Sequence, residues 1–167
     1  RIDEQVWPMM RVQAERQGAN GDWSLAVDRL SLDRLRDWVP RFVDHPPMAE
    51  LVTTLAPQGT LRNLHLAGHG SPTDLNALQV SAVLDQVGIQ AYHNAPMLQG
   101  VSGSLVGSPA SGELRVNNTQ WSMQLPHLFP EVWQYDSALG ALNWSWSRDD
   151  GLRLNTPGMS VAGPDGN

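Results

Sequence analysis

The strongest constraint on the fold is a period of two in the second half of the chain, where apolar and polar residues alternate along short runs. The alternating apolar positions are Val101, Gly103, Leu105 and Gly107, then Leu114 and Val116, then Trp121, Met123 and Leu125, and later Leu142, Trp144 and Trp146. Turn sequences at Ser108–Gly112 and Arg148–Gly151 separate some of these runs. Because strand side chains point to opposite faces in turn, the pattern predicts antiparallel strands with one apolar and one polar face.

The beginning of the chain predicts a hairpin of its own. Residues 11–17 and 22–30 form its two strands, and the sequence Gly18–Asp22 forms the turn between them. Trp23, Leu25 and Val27 share one face of the second strand.

A helical insert is predicted after this hairpin. Ser31 is the expected N-cap of a first short helix, which Pro40 breaks or kinks. Its apolar positions at helical spacing are Leu32, Leu35, Val39 and Phe42. A second short helix is predicted from Pro47 to Leu55, with Pro57 ending it.

Strands are predicted to resume at Thr60. Leu64 and Leu66 share one face there, and Leu78, Val80, Ala82 and Leu84 share one face of the following strand, with Gly68–Asp74 as the turn. Two stretches, residues 85–98 and 126–138, are predicted as irregular breaks because they contain glycine and proline.

These elements predict a mainly β fold of successive antiparallel hairpins, with two short helices inserted after the first hairpin. The 167 residues suit a single segment, 1–167, divided into the first hairpin (1–30), the helical insert (31–57) and the antiparallel strands (58–167). The alternation is equally compatible with an open apolar groove and with a closed β-sandwich. An open groove would bind an apolar ligand, whereas a closed sandwich would be a binding or scaffolding module.

Composition excludes several classes of function. The formal net charge of −6 and the scattered basic residues argue against nucleic-acid binding. The absence of cysteine excludes disulfides, thiol catalysis and cysteine-ligated zinc. No apolar run is long enough to span a bilayer, and from the polar first residues we expect no signal peptide in this sequence. A start without Met predicts a piece excised from a longer protein.

Catalytic and metal-binding patterns are weak. His65 and His69 would share one strand face but lie about 13 Å apart, at about 3.3 Å per residue, which is too far to bind one metal ion. The Gly68–Ser71 run is similar to an oxyanion-hole segment, but the chain has no Gly-x-Ser-x-Gly nucleophile and no phosphate-binding loop. We therefore expect no enzyme activity, no metal and no cofactor.

The tryptophans allow two interpretations. Trp121, Trp144 and Trp146 are candidates for a sugar-stacking platform or a membrane-interface belt. Each of them also occupies an apolar position in the alternation of its own strand. This pattern favours the interpretation that they line the core or the groove.

Three stretches together resemble the AsmA-like envelope proteins of Gram-negative bacteria, most closely the YhdP-type members. They are Leu55–Leu64, then Val87–Pro96 leading into Val101–Gly107, and then Leu125–Pro130 followed by Leu139–Trp144 and Asp150–Leu152. The resemblance rests on the order and spacing of the three stretches, and it covers residues 22–165.

The resemblance implies a curved antiparallel sheet of the repeating β-groove type. It also implies a non-enzymatic periplasmic segment of an inner-membrane-anchored bridge, whose anchor lies outside this chain. Such a bridge carries phospholipids toward the outer membrane and serves outer-membrane biogenesis. The implied partners are phospholipid acyl chains and flanking segments of the same parent chain. Exposed edge strands also predict self-association of an isolated fragment.

The groove lining predicted from strand phase comprises thirteen residues. They are Leu64, Leu66, Leu78, Val80, Ala82, Val101, Leu105, Leu114, Val116, Trp121, Met123, Leu142 and Trp144. In the closed-sandwich alternative, the same residues would form a dry core.

Overall fold

The computed structural model describes residues 11–17, 21–35, 46–71, 77–92, 96–126, 129–147, 149 and 151–163. The strands are β1 (Val12–Gln17), β2 (Asp22–Ser31), β3 (Gln58–His69), β4 (Gln79–Ile89), β5 (Met97–Gly107), β6 (Ser111–Leu125), β7 (Phe129–Ser147), β8 (Gly151–Asn155) and β9 (Ser160–Ala162). A 3₁₀ turn at Leu32–Arg34 and the helix α1 (Pro46–Leu55) lie between β2 and β3.

All the described strands belong to one antiparallel sheet. Its order follows the chain from β1 to β8, and β9 pairs with β7. The predicted succession of hairpins in a mainly β fold is therefore confirmed. The sheet is open, with β1 and β8 at the ends of the strand order, so the closed-sandwich alternative is wrong for the described part of the chain.

A line of backbone irregularities crosses the middle strands. Asn63 in β3, Gln86 in β4 and Gln120 in β6 have positive φ angles of 49°, 52° and 59°. Each lies in an interval where the pairing with a neighbouring strand shifts register. Bulges of this kind bend a strand and increase its twist, so the sheet changes direction along this line.

A buried amide stabilises the irregular part of β5. Asn118 in β6 is 2% exposed. Its Oδ1 accepts a hydrogen bond of 2.7 Å from the Ser102 N–H, and its Nδ2 donates one of 2.7 Å to the Gly100 carbonyl. The Ser102 hydroxyl in turn accepts a bond of 3.1 Å from the Gln86 N–H. The side chains thus replace ladder bonds that the register shift removes.

The most buried apolar cluster lies on one face of β2, β3 and β4. Val27, Leu64 and Ala82 are 7%, 7% and 5% exposed, and Leu25, Leu30, Leu61, Leu66 and Val80 pack around them. Among the described residues no large side chain falls below 2% exposure, so the remaining apolar side chains of the sheet stay partly accessible.

Several sequence predictions need correction. Residues 85–89 continue β4, and residues 129–138 belong to β7, so the predicted irregular connection and break are shorter than expected. Pro130 is tolerated because it lies near the start of β7, where the pairing with β6 is irregular. Of the first predicted helix, the described residues contain the 3₁₀ turn Leu32–Arg34 and the helical Leu35, and its continuation through Phe42 lies outside them. The second predicted helix corresponds to α1.

The predicted hairpin turns have different outcomes. β1 and β2 form the predicted first hairpin, although residues 18–20 of its turn lie outside the described part. Of the Gly68–Asp74 turn, Gly68 and His69 still belong to β3, and residues 72–74 lie outside the described part.

Candidate apolar groove

One face of the sheet carries apolar side chains in three cross-strand rows. Residues that pair directly across an antiparallel ladder share a face, so the strand registers define each row. We call this surface the apolar face. The first row crosses seven strands: Leu25, Leu66, Val80, Gly107, Gly112, Trp144 and Leu154.

The other two rows run beside the first. The second contains Val27, Leu64, Ala82, Leu105, Leu114 and Leu142. The third contains Leu30, Leu61, Leu84, Gly103, Val116 and Gly140. Along β4 to β7 the rows are two residues apart on each strand, as the pleat of a sheet requires for one face.

Burial decreases along the apolar face from β2 toward β8. Val27 and Leu64 are buried, Leu105, Leu114 and Leu142 are half-buried, and Leu154 is 61% exposed. Trp146, which shares the face of Trp144, is 51% exposed. Among the described residues, no second sheet covers this face. The arrangement therefore leaves apolar side chains accessible on this face, and contiguous exposed apolar side chains mark binding sites.

Two indole rings of the apolar face lie directly over glycines of the neighbouring strand: Trp23 over Gly68 and Trp144 over Gly112. A Cβ atom placed on Gly68 would lie 2.7 Å from the Trp23 ring, and one placed on Gly112 would lie 2.2 Å from the Trp144 ring. The Trp144 Nε1 donates a hydrogen bond of 3.2 Å to the Ser108 carbonyl in the adjacent turn. Glycine is therefore required beneath each ring.

Replacing Gly112 with alanine is expected to lower the free energy of unfolding by about 1–2 kcal/mol, because the new methyl group displaces the Trp144 ring. Denaturant unfolding measures the loss, and a red shift of tryptophan emission reports the displaced ring. Gly163→Ala is the control, since a Cβ there meets nothing within 4 Å. If the two variants were equally stable, the Trp144 ring would not be packed against Gly112 as the structure shows.

The opposite face of the sheet carries charged and polar side chains. Arg115 forms an ion pair of 2.6 Å with Glu113, and Arg62 pairs with Asp85 across the β3–β4 ladder. These side chains are exposed or half-buried, so the pairs contribute little stability. The sheet thus has the one apolar and one polar face that the alternation predicts.

The structure brings most of the predicted lining residues together on the apolar face. Those in the three rows are Leu64, Leu66, Val80, Ala82, Leu105, Leu114, Val116, Leu142 and Trp144. Val101 is 7% exposed and pairs with Val87 at the line of irregularities. Leu78 precedes β4, and Trp121 and Met123 lie beyond the irregularities, outside the rows.

Ten residues of the three rows are absent from the predicted set, and four of them belong to the most buried cluster or pack around it. Leu25 and Val27 show the period of two in the sequence of β2, and that signal was sufficient to include them. Leu30 and Leu61 pack against the same cluster although they follow Val27 and precede Leu64 by three positions. The irregularity at Asn63 interrupts the alternation of side-chain faces along β3, so simple alternation could not identify Leu61.

The histidines do not form a metal site with other described residues. His65 and His69 are exposed on β3, and His69 contacts the Asp22 carboxylate across the ladder. No group of three potential ligands lies close together in the described part of the chain. In the same part, no helix combines the length and the hydropathy that crossing a bilayer demands.

Comparison with known proteins yields a family but no individual relative. No curated protein and no solved structure matches the chain. The sequence model of the YhdP protein family, in contrast, matches residues 1–166. A match of this extent covers all the described strands, from β1 to β9. The chain therefore belongs to the YhdP family, a family of bacterial envelope proteins of lipid transport.

Proposed function

We propose that this chain is a non-enzymatic segment of an inner-membrane-anchored periplasmic bridge, which carries phospholipids toward the outer membrane. The apolar face serves as the β-groove along which the acyl chains move. The observation that supports this function is the continuous apolar row across seven strands of one open sheet, with no second sheet over it among the described residues. Membership of the YhdP family supports a role in lipid transport.

The energetics of an acyl chain explain why such a surface is needed. Each methylene exposed to water costs about 0.8 kcal/mol, so a whole acyl chain in water costs on the order of 10 kcal/mol. A lipid therefore crosses an aqueous gap only where apolar surface accompanies it at every step. A surface that is apolar throughout provides this without any chemical reaction.

The dimensions of the apolar face suit an acyl chain. Neighbouring strands lie about 4.8 Å apart, so a row across seven strands extends about 30 Å. The acyl chains of one leaflet span about 15 Å, half the thickness of the bilayer core. One extended chain therefore fits along the first row with room to move.

Glycines along the rows let the neighbouring strands of the apolar face approach closely. Gly107 and Gly112 are directly paired in the first row, and Gly103 occupies the third row. A Cβ on Gly107 would lie 2.4 Å from the Gly112 Cα, so the two strands are closely packed there. Glycine is needed at these positions because neighbouring backbone or the Trp144 ring occupies the place of a side chain.

The ends of the sheet suit continuation of the groove. β1 and β8 are the terminal strands of the order, and Leu154 on β8 extends the first row to that end. Flanking segments of the same parent chain would add strands there. In an isolated fragment the same edges favour self-association. The segment would lie in the periplasm, with its anchor elsewhere in the parent chain.

Photo-crosslinking in the bacterial periplasm tests this function. A photoreactive side chain is placed at Leu66, Val80 or Leu105 on the apolar face, and at Ser104 on the opposite face as a matched control. The expected result is phospholipid adducts, identified by mass spectrometry, at the three apolar positions and none at Ser104. Each probe replaces a half-buried residue, so the variants differ mainly in the face that they report.

Two results would contradict the proposal. Absence of lipid adducts at all four positions would leave a folded β-sheet without a transport role. Adducts of equal yield at Ser104 and Leu105 would indicate nonspecific contact with membranes rather than passage along the apolar face.

A further inference from the structure

The face that carries the apolar rows becomes polar at one end of β5, β6 and β7. On β6, Ser122 lies six positions after Val116, and its partner on β7 is Gln134. The register between these two strands is unchanged over this stretch, so both side chains lie on the same face as the rows. Gln99 on β5 pairs with Ser122 and extends this polar row. The apolar face therefore continues into a row of neutral polar side chains.

The polar row and Asp136 line an open cleft of about 380 Å³. Asp136 lies two positions after Gln134 on β7 and therefore shares its face. Its side chain is exposed, and its carboxylate has no ion-pair partner among the described residues. No Lys or Arg is among the described residues that line the cleft. The described part of the cleft thus carries one negative charge that no neighbouring cation offsets.

These groups match the two charged ends of a zwitterionic phospholipid headgroup. The amides of Gln99 and Gln134 and the hydroxyl of Ser122 donate hydrogen bonds, which phosphate oxygens accept. The Asp136 carboxylate accepts hydrogen bonds, and a protonated amine donates them. An anionic headgroup without an amine would bring its charge close to Asp136 with no cation to compensate for the repulsion. The cleft therefore favours an amine-bearing headgroup over an anionic one.

The distance between the cleft and the apolar rows matches the length of one phospholipid. Asp136 precedes Gly140 of the third row by four residues and Leu142 of the second row by six, which correspond to about 13 Å and about 20 Å along β7. A headgroup layer is about 6 Å deep and the acyl chains of one leaflet span about 15 Å, so a phospholipid is about 21 Å long. A lipid with its headgroup in the cleft therefore reaches the second row.

We propose that the cleft receives the headgroup of a phospholipid on the apolar face, and that Asp136 selects a headgroup with a protonated amine. This inference rests on the proposed function and adds to it the class of lipid, which is zwitterionic phosphatidylethanolamine rather than anionic phosphatidylglycerol. The acyl chains lie along β6 and β7 toward the third and second rows. Because the carboxylate is exposed, the expected preference is about threefold, as surface ion pairs contribute little.

Photo-crosslinking of the parent chain in the bacterial periplasm, with the photoreactive side chain at Leu105 in the second row, tests this inference. Mass spectrometry identifies the headgroup of each adduct. The ratio of phosphatidylethanolamine to phosphatidylglycerol among the adducts is then divided by the same ratio in the inner membrane. We expect this enrichment to be about threefold in the wild type and about onefold in Asp136→Asn. Asp136→Arg is expected to reverse it in favour of phosphatidylglycerol.

Glu131→Gln is the matched control, because it removes the same charge from an exposed position of β7 that does not line the cleft. It is expected to keep the wild-type enrichment. Adducts without enrichment in the wild type, or with equal enrichment in the wild type and D136N, would overturn the headgroup inference and leave the proposed function standing. An equal loss of enrichment in E131Q and D136N would assign the preference to net charge and overturn the role of the cleft. Absence of lipid adducts at Leu105 in every variant would overturn the proposed function, and the inference with it.

Discussion

Replacing Asn118 with alanine is expected to lower the free energy of unfolding by about 3 kcal/mol, because it leaves two partly buried backbone groups without partners. The Ser102 N–H loses its acceptor, and the Gly100 carbonyl loses its donor, each at 2.7 Å in the native sheet. With Asn118 only 2% exposed, water does not easily take its place. Urea denaturation followed by circular dichroism measures the change.

Asn117→Ala is the matched control for this loss. Asn117 is the neighbouring asparagine of β6, but it is exposed and lies on the opposite face. Its replacement is expected to change the free energy of unfolding by less than about 0.5 kcal/mol. If N118A and N117A were equally stable, the amide would not support the irregular part of β5.

The period of two was sufficient to predict the faces of the regular stretches. Leu105, Leu114 and Leu142 alternate with polar residues in sequence and lie in one row of the sheet. Strand geometry has the same period, and no irregularity interrupts β5, β6 or β7 between the first and third rows. The order of the strands also followed from the sequence, because short turns join successive antiparallel strands.

The line of irregularities could not be predicted from the sequence. Glycine is the residue that ordinarily signals a positive φ, but Asn63, Gln86 and Gln120 occupy these positions. At Gln86 the conformation is stabilised by a tertiary hydrogen bond from its N–H to the Ser102 hydroxyl. Contacts of this kind join residues far apart in sequence, so no local pattern reveals them.

The length of β6 explains the mixed outcome for the candidate site, because two runs of alternating residues belong to one strand. Leu66 and Val80 lie where alternation places them, since the ladder between them is regular. β6 continues through Gln120 with an unchanged β7 register, and Trp121 and Met123 lie outside the rows because they are an odd number of positions from Leu114 and Val116. Alternation therefore predicts the face of residues within each run but not which runs share a face.

Replacing Leu105 with aspartate is expected to weaken binding of the neutral apolar dye N-phenylnaphthylamine at least about tenfold, the equivalent of about 1.4 kcal/mol. Leu105 lies in the second row, between Ala82 and Leu114. A carboxylate there keeps its water of hydration, which excludes apolar groups from the neighbouring strip. Two methylene-sized groups kept in water at about 0.8 kcal/mol each account for a loss of this size.

Ser104→Asp separates the effect of the face from the effect of charge. Ser104 is half-buried like Leu105, but it pairs with Arg115 on the polar face, where a carboxylate finds a favourable partner. The dye affinity of S104D is expected to equal that of the wild type, and circular dichroism establishes that both variants are folded. Unchanged affinity in L105D would show that the dye binds away from the apolar face. An equal loss in both variants would attribute the effect to net charge, and the apolar face would no longer be the binding surface.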